Sequence, residues 1–394
     1  MIAFCAWGKV DCSRVQPTTG AKMLLTTILL CMALTEHAAR AHLHPHTFLT
    51  TPEIIRARGY LAQVHHVTTS DGYVLQMHRI PRGRNANRDA GVNGLSFSPG
   101  TGTSTGAFIL ADAGYDVWLG NARGNVYSRR HVRLSPAQPE FWDYSINEIA
   151  RYDVPAMLTY VREVTGSPTL SYIGHSMGTT VFFAMMNYHP HINNWVRVMA
   201  AMAPVTYLHN ARIFKIYGGA IDALERSVSR FGVLEFWMQT PGFETLFSLM
   251  HSHAHSQLSV LPFRFSSSNY QSVILAHNPA GISSNVLRQF VQFNKSRRFQ
   301  AYDYGAKRNQ REYGAGSPPR FSLARVTVPV GLFWSDGDWV VDSLDVRQTA
   351  SELSRVALNY RVPLSDFNHN DFLWAENARD LVYGQILRLL EAYN

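Results

Sequence analysis

The sequence predicts an α/β fold, in which a mostly parallel central sheet carries helices on both faces and a helical cap insertion interrupts the sheet-forming chain. Two observations predict it. Short apolar runs alternate with amphipathic segments from residue 51 onward, and this alternation stops at 206–300 before it returns at 301–394. Apolar residues make up 46% of the 394 residues, which allows a substantial core and excludes a disordered chain.

The strands and helices of the first core part, residues 42–205, follow from the periodicity of apolar residues. Two alternating runs flank Asp71-Gly72 and predict a hairpin. Asp153 is placed to cap a helix with the apolar face Val154, Met157, Leu158, Val161 and Val164. The runs, in order, are strands at 64–68, 73–80 and 115–119, the capped helix, a strand at 170–173, a helix at 180–188 and a strand at 196–205.

The insertion at 206–300 is helical in pattern and dense in large apolar side chains. They include Phe236, Trp237, Met238, Phe243, Leu246, Phe247, Met250, Leu261, Phe263 and Phe265. Such a region fits an apolar substrate site and fits an ordinary helical subdomain core equally well. The second core part, 301–394, then predicts a strand at 328–334, a helix at 343–356, a strand at 358–362 and a helix at 378–393.

The N-terminal extension, residues 1–41, has the layout of a signal peptide. An apolar run at 23–34 follows Lys22 and precedes the cleavage pattern Ala39-Arg40-Ala41, and the run is too short to span a bilayer as a helix. Either Met1 or Met23 serves as the start. Cleavage after Ala41 would remove all three cysteines, which are Cys5, Cys12 and Cys31. We therefore expect a secreted or lysosomal protein without disulfides.

The positive charge of the chain is spread over its length. The net charge is +8 and the pI about 9.4, yet the arginines are scattered in no run longer than a pair. Because no nucleic-acid motif accompanies them, we expect a solvated basic surface with a mild attraction to anionic lipid, and no nucleic-acid partner. No stable protein partner is evident.

The sequon Asn294-Lys295-Ser296 predicts a glycan on Asn294 in the secretory pathway.

The stretch Gly174-His175-Ser176-Met177-Gly178 carries the strongest chemical signal. Its G-x-S-x-G pattern lies between a predicted strand and a predicted helix, the context of a nucleophile on a tight turn. Gly174 and Gly178 are needed because side chains there would collide across the turn. Ser176 is therefore the candidate nucleophile, and the Met177 N–H at the start of the helix is a candidate oxyanion donor.

A serine nucleophile needs a histidine base and a carboxylate, expected later in the chain in the order acid, then histidine. Asp338 follows the strand at 328–334 and is the preferred acid, with Asp336 as the alternative. Asp342 and Asp345 are expected to begin the next helix. His369 is the only histidine between the last predicted strand and the final predicted helix, and is the candidate base.

Two histidine clusters raise the question of a metal site. Neither has a nearby cysteine or carboxylate to complete a zinc set, so we expect no metal. The clusters are His42, His44 and His46, and His251, His253 and His255.

The chain resembles the acid lipase family of α/β hydrolases, which includes gastric and lysosomal acid lipases and arthropod digestive relatives. The resemblance runs from residue 51 to the C-terminus. It rests on TPEIIRARGYLAQVHHVTTSDGYVLQMHRIP, LADAGYDVWLGNARGNVYSRRHV, FWDYSINEIARYDVPAML, YIGHSMG, HNPAGISS, FQAYDYG, DWVVDSLDV and FNHNDFLWA. It implies an α/β-hydrolase fold with a triad of Ser176, Asp338 and His369. It also implies hydrolysis of triacylglycerols or cholesteryl esters at a lipid–water interface, with no cofactor.

The chain departs from this family at two places. Its cap is short and has no cysteine, whereas many relatives have a cap disulfide. Residues 82–106 contain no long apolar run, where the family has a strand followed by His-Gly-Leu-Leu that supplies half of the oxyanion hole. Asn93-Gly94-Leu95 is a faint counterpart, which makes Leu95 a second candidate oxyanion donor. We therefore expect the central strand to be missing, either truly lost or skipped by a faulty gene model.

The sequence thus predicts a secretory serine esterase that cleaves neutral-lipid esters through an acyl-enzyme. Two alternatives stay open. One is a catalytically weak, lipid-binding relative that keeps the triad but lacks a complete oxyanion hole. The other is a carboxylesterase of small esters, distinguished from a lipase by its chain-length preference.

Overall fold

The computed structural model describes residues 44–85, 92–97, 105–231, 235–236, 271–277 and 280–394. The chain divides into two units, Met1–Leu43 and His44–Asn394. The first unit lies outside the described residues, and with it the predicted signal peptide, the three cysteines and His42. Most of the apolar residues of the insertion and the cluster at His251 also lie outside them.

The strands in the described part of the chain are short, and each predicted strand has a counterpart among them. Their bounds are β1 Gln63–Thr68, β2 Tyr73–Ile80, β3 Val92–Phe97, β4 Tyr115–Gly120, β5 Arg130–His131, β6 Leu170–His175, β7 Val196–Met202, β8 Glu235–Phe236, β9 Ile282–Ser283, β10 Val330–Trp334 and β11 Val356–Arg361.

The helices precede, separate and follow these strands. Their bounds are α1 Thr51–Ala57, α2 Thr105–Asp112, α3 Ile146–Glu148, α4 Val154–Thr165, α5 Met177–Tyr188, α6 Arg212–Phe231, α7 Gln271–His277, α8 Ser284–Ser296, α9 Ala306–Tyr313, α10 Ser343–Glu352, α11 Asp371–Trp374 and α12 Gly384–Glu391. A π-helical turn at Ile149–Asp153 joins α3 to α4, and a second one at Arg379–Tyr383 precedes α12.

One sheet organises the described part of the chain. Its strand order is β1-β2-β4-β3-β6-β7-β10-β11. The short strand β5 pairs with the first two residues of β2. The neighbours β4, β3, β6, β7, β10 and β11 run parallel to one another, while the β1–β2 hairpin and the β2–β4 pair are antiparallel. The central strands β4 and β6 are buried along their whole length, as expected for a sheet covered by helices on both faces. The predicted fold class is confirmed.

The expectation that no central strand forms within 82–106 is wrong. Residues 92–97 form β3, which lies between β4 and β6 and pairs with both in parallel register. Val92 opposes Tyr115, and Phe97 opposes Gly120 on one side and Gly174 on the other. The run VNGLSF has weak strand propensity of its own. Strand β4 pairs with all six of its residues and β6 pairs with residues 94–97, and this context outweighs local propensity.

The Asp153 side chain does not cap a helix. The π turn before α4 already has helical backbone geometry, so Asp153 is not at a helix start. Its carboxylate is fully buried, and it accepts hydrogen bonds from the backbone N and the Nε atom of Arg123, each at 2.8 Å. The Arg123 guanidinium, itself buried, also pairs with Asp71 and lies over the Tyr73 ring at 4.0 Å. These contacts tie the β1–β2 hairpin turn to the helix layer.

Smaller differences concern element ends. The predicted apolar face of α4 is buried except for Val164, which is 43% exposed. The helix expected to run to residue 356 ends at Glu352, because Leu353 adopts an extended conformation ahead of β11. The insertion contributes α6, α7, α8 and the ribbon of β8 and β9 to the described residues.

Candidate active site

Ser176 lies on the turn between β6 and α5, at the carboxyl edge of the sheet. Its backbone has φ 51° and ψ −118°, a conformation that side-chain-bearing residues rarely adopt. Such strain costs about 1–3 kcal/mol and persists only where the surroundings enforce it. A Cβ added to Gly174 would lie 2.9 Å from the carbonyl oxygen of Gly178, which explains the glycine. The turn therefore lifts the Ser176 hydroxyl out of the sheet.

The structure brings Ser176, His369 and Asp338 into one hydrogen-bonded chain. The Nε2 atom of His369 lies 2.8 Å from Ser176 Oγ, and its Nδ1 atom lies 2.8 Å from Asp338 Oδ2. His369 is 7% and Asp338 3% exposed. A carboxylate on Nδ1 fixes that nitrogen as the donor and leaves Nε2 as the acceptor facing the hydroxyl. In this arrangement the imidazole can take the proton of the serine.

The loop after β10 holds Asp338 in place. Its Oδ1 atom accepts hydrogen bonds from the backbone N–H groups of Val340 and Val341, at 2.7 and 2.9 Å, which leaves Oδ2 for the histidine. The alternative, Asp336, pairs instead with Arg361 at the surface. The two later aspartates do begin α10, as expected: Asp342 caps it, and Asp345 is in its first turn.

The loop that carries His369 is anchored on both sides of the histidine. Ser335 Oγ donates to the Phe367 carbonyl at 2.6 Å, and Asp371 accepts from the Asn368 backbone N–H at 2.8 Å. The loop also packs closely on Gly337, where an added Cβ would lie 2.6 Å from the Asp366 carbonyl carbon. The loop that carries the acid and the loop that carries the base are thus locked to each other.

His175 is a further residue of this site, and sequence reasoning did not single it out. It is 4% exposed, and its Nε2 atom lies 2.8 Å from the backbone carbonyl oxygen of His369. Burial, followed by the proximity of His369, lowers the pKa of His175 to about 3. The only sequence signal for it was its place inside the G-x-S-x-G pattern, where any residue is allowed.

The two candidate oxyanion donors are placed differently. Met177 is the first residue of α5, where a backbone N–H has no partner within the helix and can face the reacting centre. Leu95 lies inside β3, opposite Trp118 and Tyr172, two residues before the end of the strand. The register of β3 does not support the Leu95 N–H as an oxyanion donor, because the backbone of Leu95 is paired within the sheet. The chain that follows Phe97, residues 98–104, lies outside the described residues.

The predicted glycosylation site lies in the last turn of α8. The Nδ2 atom of Asn294, which would carry the sugar, donates to the Leu208 carbonyl at 2.7 Å. This contact does not favour a glycan in the folded chain, and glycosylation stays a prediction.

The described ranges contain neither a metal-binding cluster nor a membrane-spanning helix. Within them, no group of three or more His, Cys, Asp or Glu side chains is arranged to hold a metal ion, and His44 and His46 are not part of one. No helix in those ranges is both long and apolar enough to cross a membrane.

The fold and the arrangement at its carboxyl edge are those of an α/β hydrolase. Residues 51–108 match the family model described as the partial α/β-hydrolase lipase region, and residues 108–376 match the model of the α/β hydrolase fold. Among solved structures, a putative lipase from Acinetobacter baumannii superposes with a TM-score of 0.50 at 13% identity, covering 88% of this chain and 98% of that one. That likeness supports the fold alone.

Curated relatives narrow the class to lipases. Lipase 1 of Drosophila melanogaster is 38% identical over 89% of this chain and 82% of its own length. Gastric triacylglycerol lipase of Bos taurus is 33% identical over 88% and 92%, respectively. Lysosomal acid lipase/cholesteryl ester hydrolase of Macaca fascicularis is 31% identical over 94% and 100%. The chain belongs to the lipase family of α/β hydrolases, and the resemblance noted from its motifs is confirmed.

Proposed function

We propose that this protein hydrolyses carboxylic esters of neutral lipids through an acyl-enzyme on Ser176. The observation that carries the proposal is the chain of two 2.8 Å hydrogen bonds from Ser176 through His369 to Asp338, built on a strained turn. Without a base at this distance, a serine hydroxyl is too weak a nucleophile to attack an ester.

The chemistry follows from the placement of these groups. His369 Nε2 takes the proton of Ser176 Oγ as that oxygen attacks the ester carbonyl carbon. The Met177 N–H at the start of α5 then stabilises the negative oxygen. The protonated His369 gives its proton to the leaving alcohol. Water, activated by the same histidine, hydrolyses the acyl-enzyme and restores Ser176.

The substrate class rests on the relatives and on the composition of the insertion. Relatives named as triacylglycerol and cholesteryl ester hydrolases match over most of their lengths. The insertion at 206–300 is rich in Phe, Trp and Met, which suits the binding of an acyl chain. We assign residues 42–205 and 301–394 to the catalytic core, and 206–300 to the cap.

Chain-length preference tests this assignment. Initial rates are measured on emulsified triacylglycerols and on soluble esters of increasing acyl length, for the full chain and for a variant whose 237–270 segment is replaced by a polar linker. We expect the variant to lose long-chain hydrolysis at least tenfold more than short-chain hydrolysis. Equal losses would mean that the segment is structural. A wild-type preference for short soluble esters would favour the small-ester carboxylesterase.

We propose a secretory destination, either extracellular or lysosomal. The apolar run at 23–34 and its cleavage pattern support it, as do relatives named gastric and lysosomal lipases. N-terminal sequencing of protein from secreting cells should give His42 as the first residue. Protein that begins at Met1 would contradict the proposal.

A further inference from the structure

We propose that His175 is a positioning residue, whose side chain holds the backbone of the catalytic histidine at the distance that proton transfer from Ser176 requires. This inference rests on the proposed function and adds to it. The nucleophile Ser176 and the base His369 lie on different loops, 193 positions apart in the chain. The distance between them must therefore be fixed by contacts between the two loops.

The geometry of His175 links the two loops directly. His175 is the last residue of β6, and its peptide bond to Ser176 belongs to the strained turn. Its side chain reaches the opposite loop, where Nε2 lies 2.8 Å from the carbonyl oxygen of His369. A carbonyl oxygen can only accept a hydrogen bond, so Nε2 carries the proton and donates it. One residue therefore spans from the nucleophile turn to the base.

The imidazole of His175 packs against its neighbours as well as bonding to one of them. Its ring centroid lies 4.9 Å from that of His369 and 6.2 Å from that of Phe372, and the residue is almost fully buried. A buried N–H is costly to leave unpaired, so the hydrogen bond resists displacement of the loop. Because Asp338 and Ser176 fix the two ring nitrogens of His369, this bond adds a third, independent constraint, on its backbone.

A neutral donor suits this position for an electrostatic reason. His369 becomes an imidazolium each time it takes the proton of Ser176, and a second positive charge 4.9 Å away would oppose that step. His369 is the titratable group that acts on His175, and burial keeps the His175 ring neutral well below the ordinary histidine pKa of about 6.5. A lysine or arginine would supply the same hydrogen bond together with an unwanted charge.

Two substitutions separate positioning from packing. His175→Gln places an amide N–H close to the position of Nε2, whereas His175→Asn carries the same amide on a side chain too short to reach the carbonyl. For wild type and both variants we would measure kcat per active site titrated with a phosphonate, KM on a soluble short-chain ester, the rate constant of phosphonate inactivation, and Tm. Counting only titrated sites removes any contribution from unfolded protein.

For His175→Asn we expect kcat and the inactivation rate to fall about 10–100-fold with KM nearly unchanged, since a displacement of about 1 Å costs up to 10²-fold in rate. His175→Gln should recover most of the loss. Equal rates for the two variants would overturn the inference, even if both lower Tm. A wild type that neither turns over nor is labelled at Ser176 would overturn the proposed function and this inference with it.

A measurement on the wild type covers the case in which His175→Asn does not fold. Nitrogen-15 NMR of selectively labelled histidines should report His175 as the neutral tautomer with its proton on Nε2, at a pH below about 6.5 where exposed histidines are charged. An imidazolium, or a proton on Nδ1, would contradict the assigned donor.

Discussion

Asp338→Asn should slow catalysis strongly while leaving the fold intact. Oδ1 of Asp338 accepts two backbone N–H groups, from Val340 and Val341. An asparagine that turned its NH₂ toward them would leave these two donors without an acceptor, which costs about 1–3 kcal/mol for a buried group. The amide oxygen therefore stays in that position, and the NH₂ faces His369 Nδ1. The histidine must then carry its proton on Nε2, opposite Ser176 Oγ, where it cannot act as a base.

We expect kcat to fall about 10³–10⁴-fold, which corresponds to roughly 4–5.5 kcal/mol of transition-state stabilisation at about 1.36 kcal/mol per tenfold. Steady-state rates on a soluble ester measure this, and urea denaturation should show little change in stability. Asp336→Asn is the matched control. Its pair with Arg361 is at the surface, and such pairs are worth about 0–1 kcal/mol, so kcat should stay within about threefold. The reverse ranking of the two variants would show that Asp336, and not Asp338, orients His369.

Four further variants test packing, charge and pH. Gly174→Ala should destabilise the protein by about 1–3 kcal/mol because its Cβ meets helix backbone at 2.9 Å, whereas Gly218→Ala, with no atom within 4 Å, should stabilise by about 0.5–1 kcal/mol; denaturation midpoints measure both. Arg123→Met should cost about 3–5 kcal/mol, since Asp153 stays buried without its partner, and a loss below about 1 kcal/mol would contradict this. The pKa of His175 is depressed from 6.5 to about 3, so its contribution to stability is complete above pH 6.5 and is lost as pH falls toward 3. His175→Gln should therefore lose less stability than wild type over that range, and parallel pH profiles would argue against a buried neutral histidine.

Much of the fold could be predicted because its signals are local. The β1–β2 hairpin, the buried run at β4 and the alternation around Ser176 each depend on a few consecutive residues. The order of Asp338 and His369 after Ser176, each at the end of a strand, placed the candidate triad for the same reason.

The features that sequence reasoning missed depend on partners far along the chain. Residues 92–97 form a strand because β4 and β6 pair with them on both sides, which their own composition does not reveal. Asp153 has a residue type and position suited to a helix cap. Its carboxylate instead accepts a hydrogen bond from Arg123, thirty residues earlier in the chain. His175 lies at a position where the motif allows any residue, and its role depends on a carbonyl in another loop.

Labelling with an active-site phosphonate shows whether Ser176 is the nucleophile. The wild-type protein is incubated with an alkyl phosphonate, digested and mapped by mass spectrometry, beside Ser176→Ala as the control. We expect one modified peptide, with the phosphonate on Ser176, and loss of esterase turnover in proportion to labelling. The Ser176→Ala variant should be neither labelled nor active. A label on another residue, or ester turnover that persists in Ser176→Ala, would contradict it.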